Sequence, residues 1–159
     1  DHRDLHSFPT RRSSDLGNIM GLDRHMPMVL IGAGNLGRTI ARHMDFDSSG
    51  FRLIGIFDNS VHIVGQTIRD LVVRDAAELE DFCRAHTPRA AVLCIPKEVA
   101  FETTQRLMEL GVNCFWNFSH YDLSLDFEGV IVENVHLGDS LMTLSYQINE
   151  AYPKTENQK

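Results

Sequence analysis

Apolar residues along this chain fall into short runs that alternate with longer segments of helical spacing. Runs that are apolar at most positions are typical of strands buried on both faces of a parallel sheet. They predict strands at 28–31, 51–57, 90–95, 113–118 and 130–135, and a short strand near 72–73. Helical spacing predicts helices at 35–44, 76–85, 98–110 and 138–152. The alternation predicts an α/β fold with a doubly wound parallel sheet and a C-terminal amphipathic helix.

The predicted helices carry end signals and apolar stripes. Asp75 and Glu78 have the spacing of a capping box, and Gly111 is placed to end the helix at 98–110. The stripes expected on one face are Leu36, Ile40 and Met44 in the first helix, Val99, Thr103, Leu107 and Leu110 in the third, and Leu141, Leu144, Ser145 and Ile148 in the last.

The first strand and first helix are joined by a glycine-spaced turn, Gly32-Ala33-Gly34-Asn35-Leu36-Gly37. In G-x-G-x-x-G spacing, the first glycine makes a tight turn, the second lets backbone approach a pyrophosphate, and the third lets the helix pack close to the strand. The N–H groups at the helix N-terminus can then bind phosphate. Such triplets also occur in ordinary turns, so the flanking strand and helix are what favour a Rossmann-like dinucleotide site.

Asp58 ends the second strand at roughly the twenty-residue distance from the glycines expected for a ribose-binding acid. A carboxylate at this place can accept both hydroxyls of an adenosine ribose and would repel a 2′-phosphate. No Arg or Lys occurs in 59–63. The sequence therefore favours NAD(H) over NADP(H), with a turn-forming or capping Asp as the alternative.

Two further strand ends are expected at the same edge of the sheet, because ligands of open parallel sheets bind beyond the carboxyl ends of the strands. Ile95 and Pro96 would form an apolar wall, and the Asn117 amide could reach a nicotinamide or ribose. Ordinary strand-exit turns are the alternative. The expected cofactor contacts are Gly32, Ala33, Gly34, Asn35, Leu36, Gly37, Asp58, Asn59, Ile95, Pro96, Asn117 and Phe118.

The remaining candidate side chains do not point to catalysis. His120 has no carboxylate at a recognisable spacing, so we interpret it as a solvated loop residue, and Trp116 as a core residue. We predict free, buried thiols for the three cysteines, because they lack C-x-x-C spacing: Cys83, Cys94 and Cys114. We find no metal-ligand spacing and no nucleophile elbow, and predict no metal site and no catalytic residue.

Charge and hydropathy narrow the function further. The net charge of −7 argues against a nucleic-acid surface, which needs clustered Lys and Arg. No apolar run approaches the length of a membrane span, and no secretory signal is recognisable, so we expect a cytoplasmic protein.

The chain divides into three parts by composition. Residues 1–16 lack apolar periodicity and resemble translated sequencing-adapter read-through, so we expect a non-native tail whose Arg11-Arg12 pair is solvated. Residues 17–152 form the expected Rossmann domain of a chain that has lost its true N-terminal part. We expect 153–159 to be a disordered tail.

Six segments together resemble the cofactor domain of the Rex redox-sensing transcriptional repressors, over about 21–152. They are Leu22-Asp23-Arg24, Val29-Leu30-Ile31-Gly32-Ala33-Gly34-Asn35-Leu36-Gly37-Arg38, Ala91-Val92-Leu93-Cys94-Ile95-Pro96, Asn117-Phe118, Val132-Glu133-Asn134-Val135 and Leu144-Ser145-Tyr146. The resemblance implies a homodimeric sensor of the NADH/NAD⁺ ratio rather than an enzyme. It also implies an N-terminal winged-helix domain that binds operator DNA, and a final helix exchanged between subunits.

The sequence departs from the family in two ways. No winged helix precedes residue 17, so this chain is not expected to bind an operator by itself. His136 and Leu137 stand where the family often has Asp and an aromatic residue, which puts ordinary switching in doubt and could add a pH dependence. The alternatives are an enzyme, either a dehydrogenase or the CoA-binding half of an acyl-CoA ligase, and an interaction module that has lost its ligand.

Overall fold

The computed structural model describes residues 24–154. The expectations for 1–16, for Leu22 and Asp23 and for most of the C-terminal tail lie outside these residues. The described residues contain a seven-stranded sheet with the strand order β3-β4-β2-β1-β5-β6-β7. Its strands are β1 Met26–Ile31, β2 Phe51–Asp58, β3 Thr67–Ile68, β4 Leu71–Asp75, β5 Ala90–Leu93, β6 Cys114–Asn117 and β7 Ile131–Asn134.

Every pairing is parallel except the β3–β4 hairpin at one edge. The helices are α1 Asn35–His43, α2 Leu79–His86, α3 Lys97–Glu109, α4 Leu123–Asp126 and α5 Leu137–Ala151. Short 3₁₀ turns occupy Asp47–Ser49 and Ala76–Glu78. The predicted doubly wound α/β sheet is confirmed, while β3 and α4 were not predicted. Within residues 24–154, no helix combines the length and apolarity needed to cross a membrane.

The predicted end signals are present in the structure. The Asp75 carboxylate accepts a hydrogen bond from the Ala77 N–H at 2.9 Å, and the Asp75 N–H donates to the Glu78 carboxylate at 3.2 Å. This capping box begins the 3₁₀ turn that leads into α2. Gly111 has a left-handed φ of 90° just after α3, where its missing Cβ avoids strain.

The predicted helix faces need correction. In α1 the buried residues are Gly37, Ile40 and Ala41, while Leu36 and Met44 stay more than one third exposed. In α3 the buried residues are Ala100, Thr104 and Leu107, whereas Val99 is exposed. Periodicity alone does not fix which stripe faces inward. Small residues lie on the buried faces in both helices, because they let the helix approach the sheet closely.

The core consists of one layer on each face of the sheet. Alternate β1 side chains enter opposite layers: Met28 and Leu30 pack in the layer that contains α1, and Val29 and Ile31 in the layer that contains α2 and α3. Each fully buried aliphatic side chain contributes about 1.5–3 kcal/mol by leaving water.

Among residues 24–154, one side of the sheet has helices on only one face. The crossovers place α1 on one face, and α2, α3 and α4 on the other. Within the described residues, no helix packs on the α1 face of β6 and β7, and we call this surface the open half-face. A largely apolar cavity of about 570 Å³ extends from it to the start of β1 and β2, and its lining includes Met26, Met28, Met44, Phe51, Trp116 and Ile131. Trp116 is half-buried there rather than enclosed in the core.

The three cysteines are free thiols, as predicted. Cys83 lies buried in α2, whereas Cys94, just after β5, and Cys114, in β6, are only partly buried.

Candidate functional site

The glycine turn after β1 is packed so tightly that two of its glycines are required by contact alone. Gly32 has a φ of 99°, and a Cβ there would lie 2.2 Å from the Cys94 carbonyl oxygen. A Cβ on Gly37 would lie 1.7 Å from the Gly32 carbonyl oxygen. Both distances are far inside van der Waals contact, so α1 can start where it does only with glycine at both positions.

Gly34 differs from its neighbours because it faces open space. No heavy atom lies within 4 Å of a Cβ built on it. Gly34 is the N-cap of α1 and offers no side-chain cap, and the first turn of α1 holds no acidic residue. No carboxylate of residues 24–154 therefore caps the first N–H groups of α1, at the exposed Asn35 and Leu36. A helix N-terminus in this state can bind an anion such as a pyrophosphate.

Asp58 joins the end of β2 to the glycine turn. Its Oδ2 accepts a hydrogen bond from the Ala33 N–H at 2.7 Å, and its Oδ1 accepts one from the Ser60 N–H at 2.8 Å. Each carboxylate oxygen has about two acceptor positions, so each retains one. The half-buried carboxylate can therefore still accept ribose hydroxyls, whereas the Ala33 N–H is already used and is not free for phosphate. Asn59 follows as an exposed residue.

Side-chain hydrogen bonds that were not predicted from the sequence connect the segment after Asp58 to α1. Arg38 Nη2 donates to Gln66 Oε1 at 2.5 Å, and Gln66 Nε2 donates to the His62 carbonyl at 2.7 Å. The sequence gives no local signal for this pairing, because the two residues are separated by a whole strand and a loop.

The end of β5 meets the glycine turn, as expected for neighbouring parallel strands. Ile95 is half-buried, and its Cγ2 would lie 3.0 Å from a Cβ on Gly32. Pro96 is exposed and forms the N-cap of α3. The structure thus brings the glycine turn, Asp58, Ile95 and Pro96 to one edge of the sheet.

The Asn117 side chain does not offer the amide contact that we expected. The Asn117 side chain is 1% exposed. Its Nδ2 donates to the Tyr121 carbonyl at 2.7 Å and to Asn134 Oδ1 at 2.9 Å, while its Oδ1 accepts from the N–H and hydroxyl of Ser119. All four hydrogen-bonding positions are therefore used, and no amide group is left for a nicotinamide or ribose.

The Phe118 ring is likewise buried, with its centroid 4.8 Å from that of Trp116. The expectation that the Asn117 amide reaches a nicotinamide or ribose is therefore corrected, whereas cofactor contact by Phe118 stays a prediction. Asn117 instead joins β6, β7 and the loop that follows β6. Only the folded chain could show this, because one of its partners, Asn134, lies on β7, 17 residues further along the chain.

Two histidine rings lie close together beyond the ends of β6 and β7. His120 Nδ1 and His136 Nδ1 are 3.3 Å apart, and both side chains are exposed. His120 is exposed in the loop after β6, as interpreted from the sequence, and it also has a partner ring that the sequence did not indicate.

The thiols near the site are held in their neutral form. Burial raises the pKa of the Cys94 thiol to about 12 and raises the pKa of Cys83 as well. The thiolate is the reactive form of cysteine, so these groups are poor nucleophiles at neutral pH. A hydrogen bond to Asp126 raises the pKa of Tyr121. Within residues 24–154, no three His, Cys, Asp or Glu side chains cluster as a metal site would require.

Comparison with known proteins identifies relatives over most of the chain. The protein-family profile described as "CoA binding domain" matches residues 23–121. The Redox-sensing transcriptional repressor Rex of Caldanaerobacter subterraneus subsp. tengcongensis is 46% identical over 137 residues, which is 86% of this chain and 61% of that protein. The chain thus spans less than two thirds of the length of this curated relative.

Solved structures give the same relatives. RSP, described as a Rex-family repressor, is 42% identical in its complex with beta-NADH, with a TM-score of 0.82 over 94% of this chain and 74% of that chain. Its complex with beta-NAD+ and operator DNA is 45% identical, with a TM-score of 0.78 over 87% of this chain and 63% of that chain.

Proposed function

This chain belongs to the Rex family of redox-sensing transcriptional repressors, and we propose that it is the NAD(H)-binding sensor domain of such a repressor. The observation that carries the proposal is the uncapped N-terminus of α1 beside Asp58, in a chain 42% identical to a repressor solved with beta-NADH. The response to the NADH/NAD⁺ ratio and operator binding belong to the whole repressor. Operator binding would require a DNA-binding domain outside residues 17–152.

The pyrophosphate would bind at the start of α1. The open space at Gly34 admits phosphate oxygens to the backbone, and the N–H groups of the first turn supply donors and a partial positive charge. Gly32 and Gly37 act indirectly here, because they let the turn and the helix come close enough to present those donors.

The adenosine would bind next to Asp58. The two hydroxyls of an NAD(H) ribose match the two remaining acceptor positions of the carboxylate. NADPH carries a 2′-phosphate and coenzyme A a 3′-phosphate, and either group would meet the Asp58 charge unfavourably. This argument favours NAD(H) over coenzyme A, the ligand named in the description of the matching protein-family profile.

The rest of the crevice favours binding over reaction. Ile95 and Pro96 offer an apolar surface near the glycine turn, and burial keeps the Cys94 thiol neutral. We therefore propose a regulator that binds its cofactor without transforming it, located in the cytoplasm. A dehydrogenase or an acyl-CoA ligase subunit is the alternative.

We further propose that the domain forms a homodimer through α5. None of the residues of α5 is buried, and Leu137, Leu141, Leu144 and Ile148 share one face with exposures of 50–68%. The expected exposed apolar stripe is thus present. An apolar cavity of about 570 Å³ adjoins the open half-face on the same domain. A second copy of the chain would cover this surface with its own α5.

Calorimetric titration of the chain with NADH, NAD⁺, NADPH and coenzyme A tests the proposed function. We expect NADH to bind, and Asp58→Asn to weaken its binding by about 10- to 100-fold, because a hydrogen bond to a charged group contributes about 1.5–3 kcal/mol. Asp70→Asn, at an exposed acid on the β3–β4 turn, is the matched control and should bind NADH like the parent chain.

Circular dichroism of each variant separates loss of binding from loss of fold. Binding of coenzyme A without NADH would replace the sensor with the ligase-type alternative. Absence of binding by all four ligands to a folded chain would remove the sensor proposal altogether.

A further inference from the structure

His120 and His136 bring two imidazoles together at a junction between structural elements. Their Nδ1 atoms are 3.3 Å apart, and their ring centroids are 5.4 Å apart. His120 lies in the loop after β6 with a left-handed φ of 64°, an uncommon conformation for a residue with a side chain. His136 lies between β7 and α5 and is the N-cap of α5.

The loop that carries His120 is fixed by several hydrogen bonds, whereas His136 and α5 have few hydrogen bonds to the preceding part of the described chain. The loop that carries His120 is fixed by the buried Asn117, which bonds to Ser119 and to the Tyr121 carbonyl. On the other side, the Val135 N–H donates to the Asn117 carbonyl at 2.9 Å. Among residues 24–154, the histidine contact is the one hydrogen bond that joins His136 and α5 to the preceding part of the chain.

The contact depends on the number of protons that the two rings carry. A neutral ring can donate from Nδ1 to a partner that accepts at Nδ1, and one added proton still leaves one acceptor. When both rings are protonated, both Nδ1 atoms carry hydrogen and positive charge, so the contact must open. A positive His136 is also unfavourable at the N-terminus of α5, where the helix dipole is positive.

Acidic groups on the neighbouring segments do not neutralise the pair directly. Asp122 lies in the loop, Glu133 on β7 and Asp139 in the first turn of α5. Within the part of the chain that the structure describes, none of them forms a salt bridge with either ring. The Tyr121 phenol is occupied by its hydrogen bond to Asp126.

We propose that His120 and His136 form a pH-sensitive contact that holds the start of α5 against the loop after β6 and releases it when both rings are protonated.

Nitrogen NMR and amide hydrogen exchange on the full chain test the contact. At about pH 7.5 we expect one of the two rings to be protonated at Nδ1, whereas a free neutral imidazole favours Nε2. His120→Asn, which tolerates a positive φ, should return His136 to the Nε2-protonated form, and His136→Gln should do the same for His120. His43→Gln, at an exposed histidine of α1, is the control and should change neither ring.

The exchange measurement reports the consequence for α5. After correction for intrinsic rates, amide protection at 139–142, where the first hydrogen-bonded N–H groups of α5 lie, should fall about five- to tenfold between about pH 7.5 and about pH 5.5, relative to β1. The fall should be absent in His120→Asn. An unchanged tautomer of either ring in the partner variant, or an equal fall in His120→Asn, overturns the proposal. So does loss of the tautomer signature on adding EDTA, since the rings would then be bridged by a metal ion.

Discussion

The glycine turn and α5 lie near opposite ends of the described chain and differ in how closely they are packed. At the turn, backbone and side-chain atoms from β1, α1, β2 and the end of β5 are in contact, and two glycines leave no room for a methyl group. Along α5, every residue is exposed, including four large apolar residues on one face. The first region is closed by contacts within the chain, whereas no described residue covers the apolar face of the second. We infer that the turn serves the ligand and α5 serves assembly.

The comparison predicts that a single methyl group has very different effects at two glycines of the turn. Gly37→Ala should lower the free energy of unfolding by about 3 kcal/mol or more, because the new Cβ meets the Gly32 backbone. Gly34→Ala should cost less than about 1 kcal/mol but weaken NADH binding, since its Cβ enters the space proposed for pyrophosphate. Urea unfolding and calorimetry measure the two effects. A stable Gly37→Ala would show that the turn is less closely packed than the structure indicates.

The next prediction concerns the apolar stripe of α5. Leu144→Glu should weaken homodimerisation by about 100-fold, because a charge would be buried in the proposed interface, and should leave the unfolding of the monomer nearly unchanged. Sedimentation velocity over a range of concentrations measures the effect. Thr143→Glu places the same charge on another face of α5 and should leave the dimer intact. Equal weakening by both substitutions would argue against a specific stripe.

A smaller effect is expected from the thiol beneath the glycine turn. Burial raises the pKa of Cys94 to about 12, so above about pH 9 the unfolded chain loses this proton while the folded chain keeps it. Stability is then lost as pH rises, by about 1.4 kcal/mol per pH unit between about pH 9 and about pH 12. Cys94→Ala should show a shallower loss when urea unfolding is compared at about pH 8 and about pH 10. An identical pH dependence in the two proteins would mean that water reaches the thiol.

Local features of the chain were predictable from the sequence because their causes are local. Gly32, Gly34 and Gly37 specify a turn between a strand and a helix, and the structure has it. The capping box at Asp75 and the stop at Gly111 depend on residues a few positions apart, and both are present. Asp58 was placed by its position at the end of a strand. Its hydrogen bond to the Ala33 N–H adds a role in closing the turn that spacing could not indicate.

Four features depended on the tertiary structure, because each joins segments that are distant in the chain. The Asn117 amide looked available for a ligand but is consumed by partners in a loop and in β7. The Arg38–Gln66 bond and the His120–His136 contact likewise form only after the strands are in place. The open half-face follows from the handedness of the crossovers and the short α4, not from any single residue. The sequence by itself therefore determined the elements, their order and the glycine turn. Only the tertiary structure decided which polar groups stay free and which apolar surface is left uncovered, because those depend on three-dimensional neighbours.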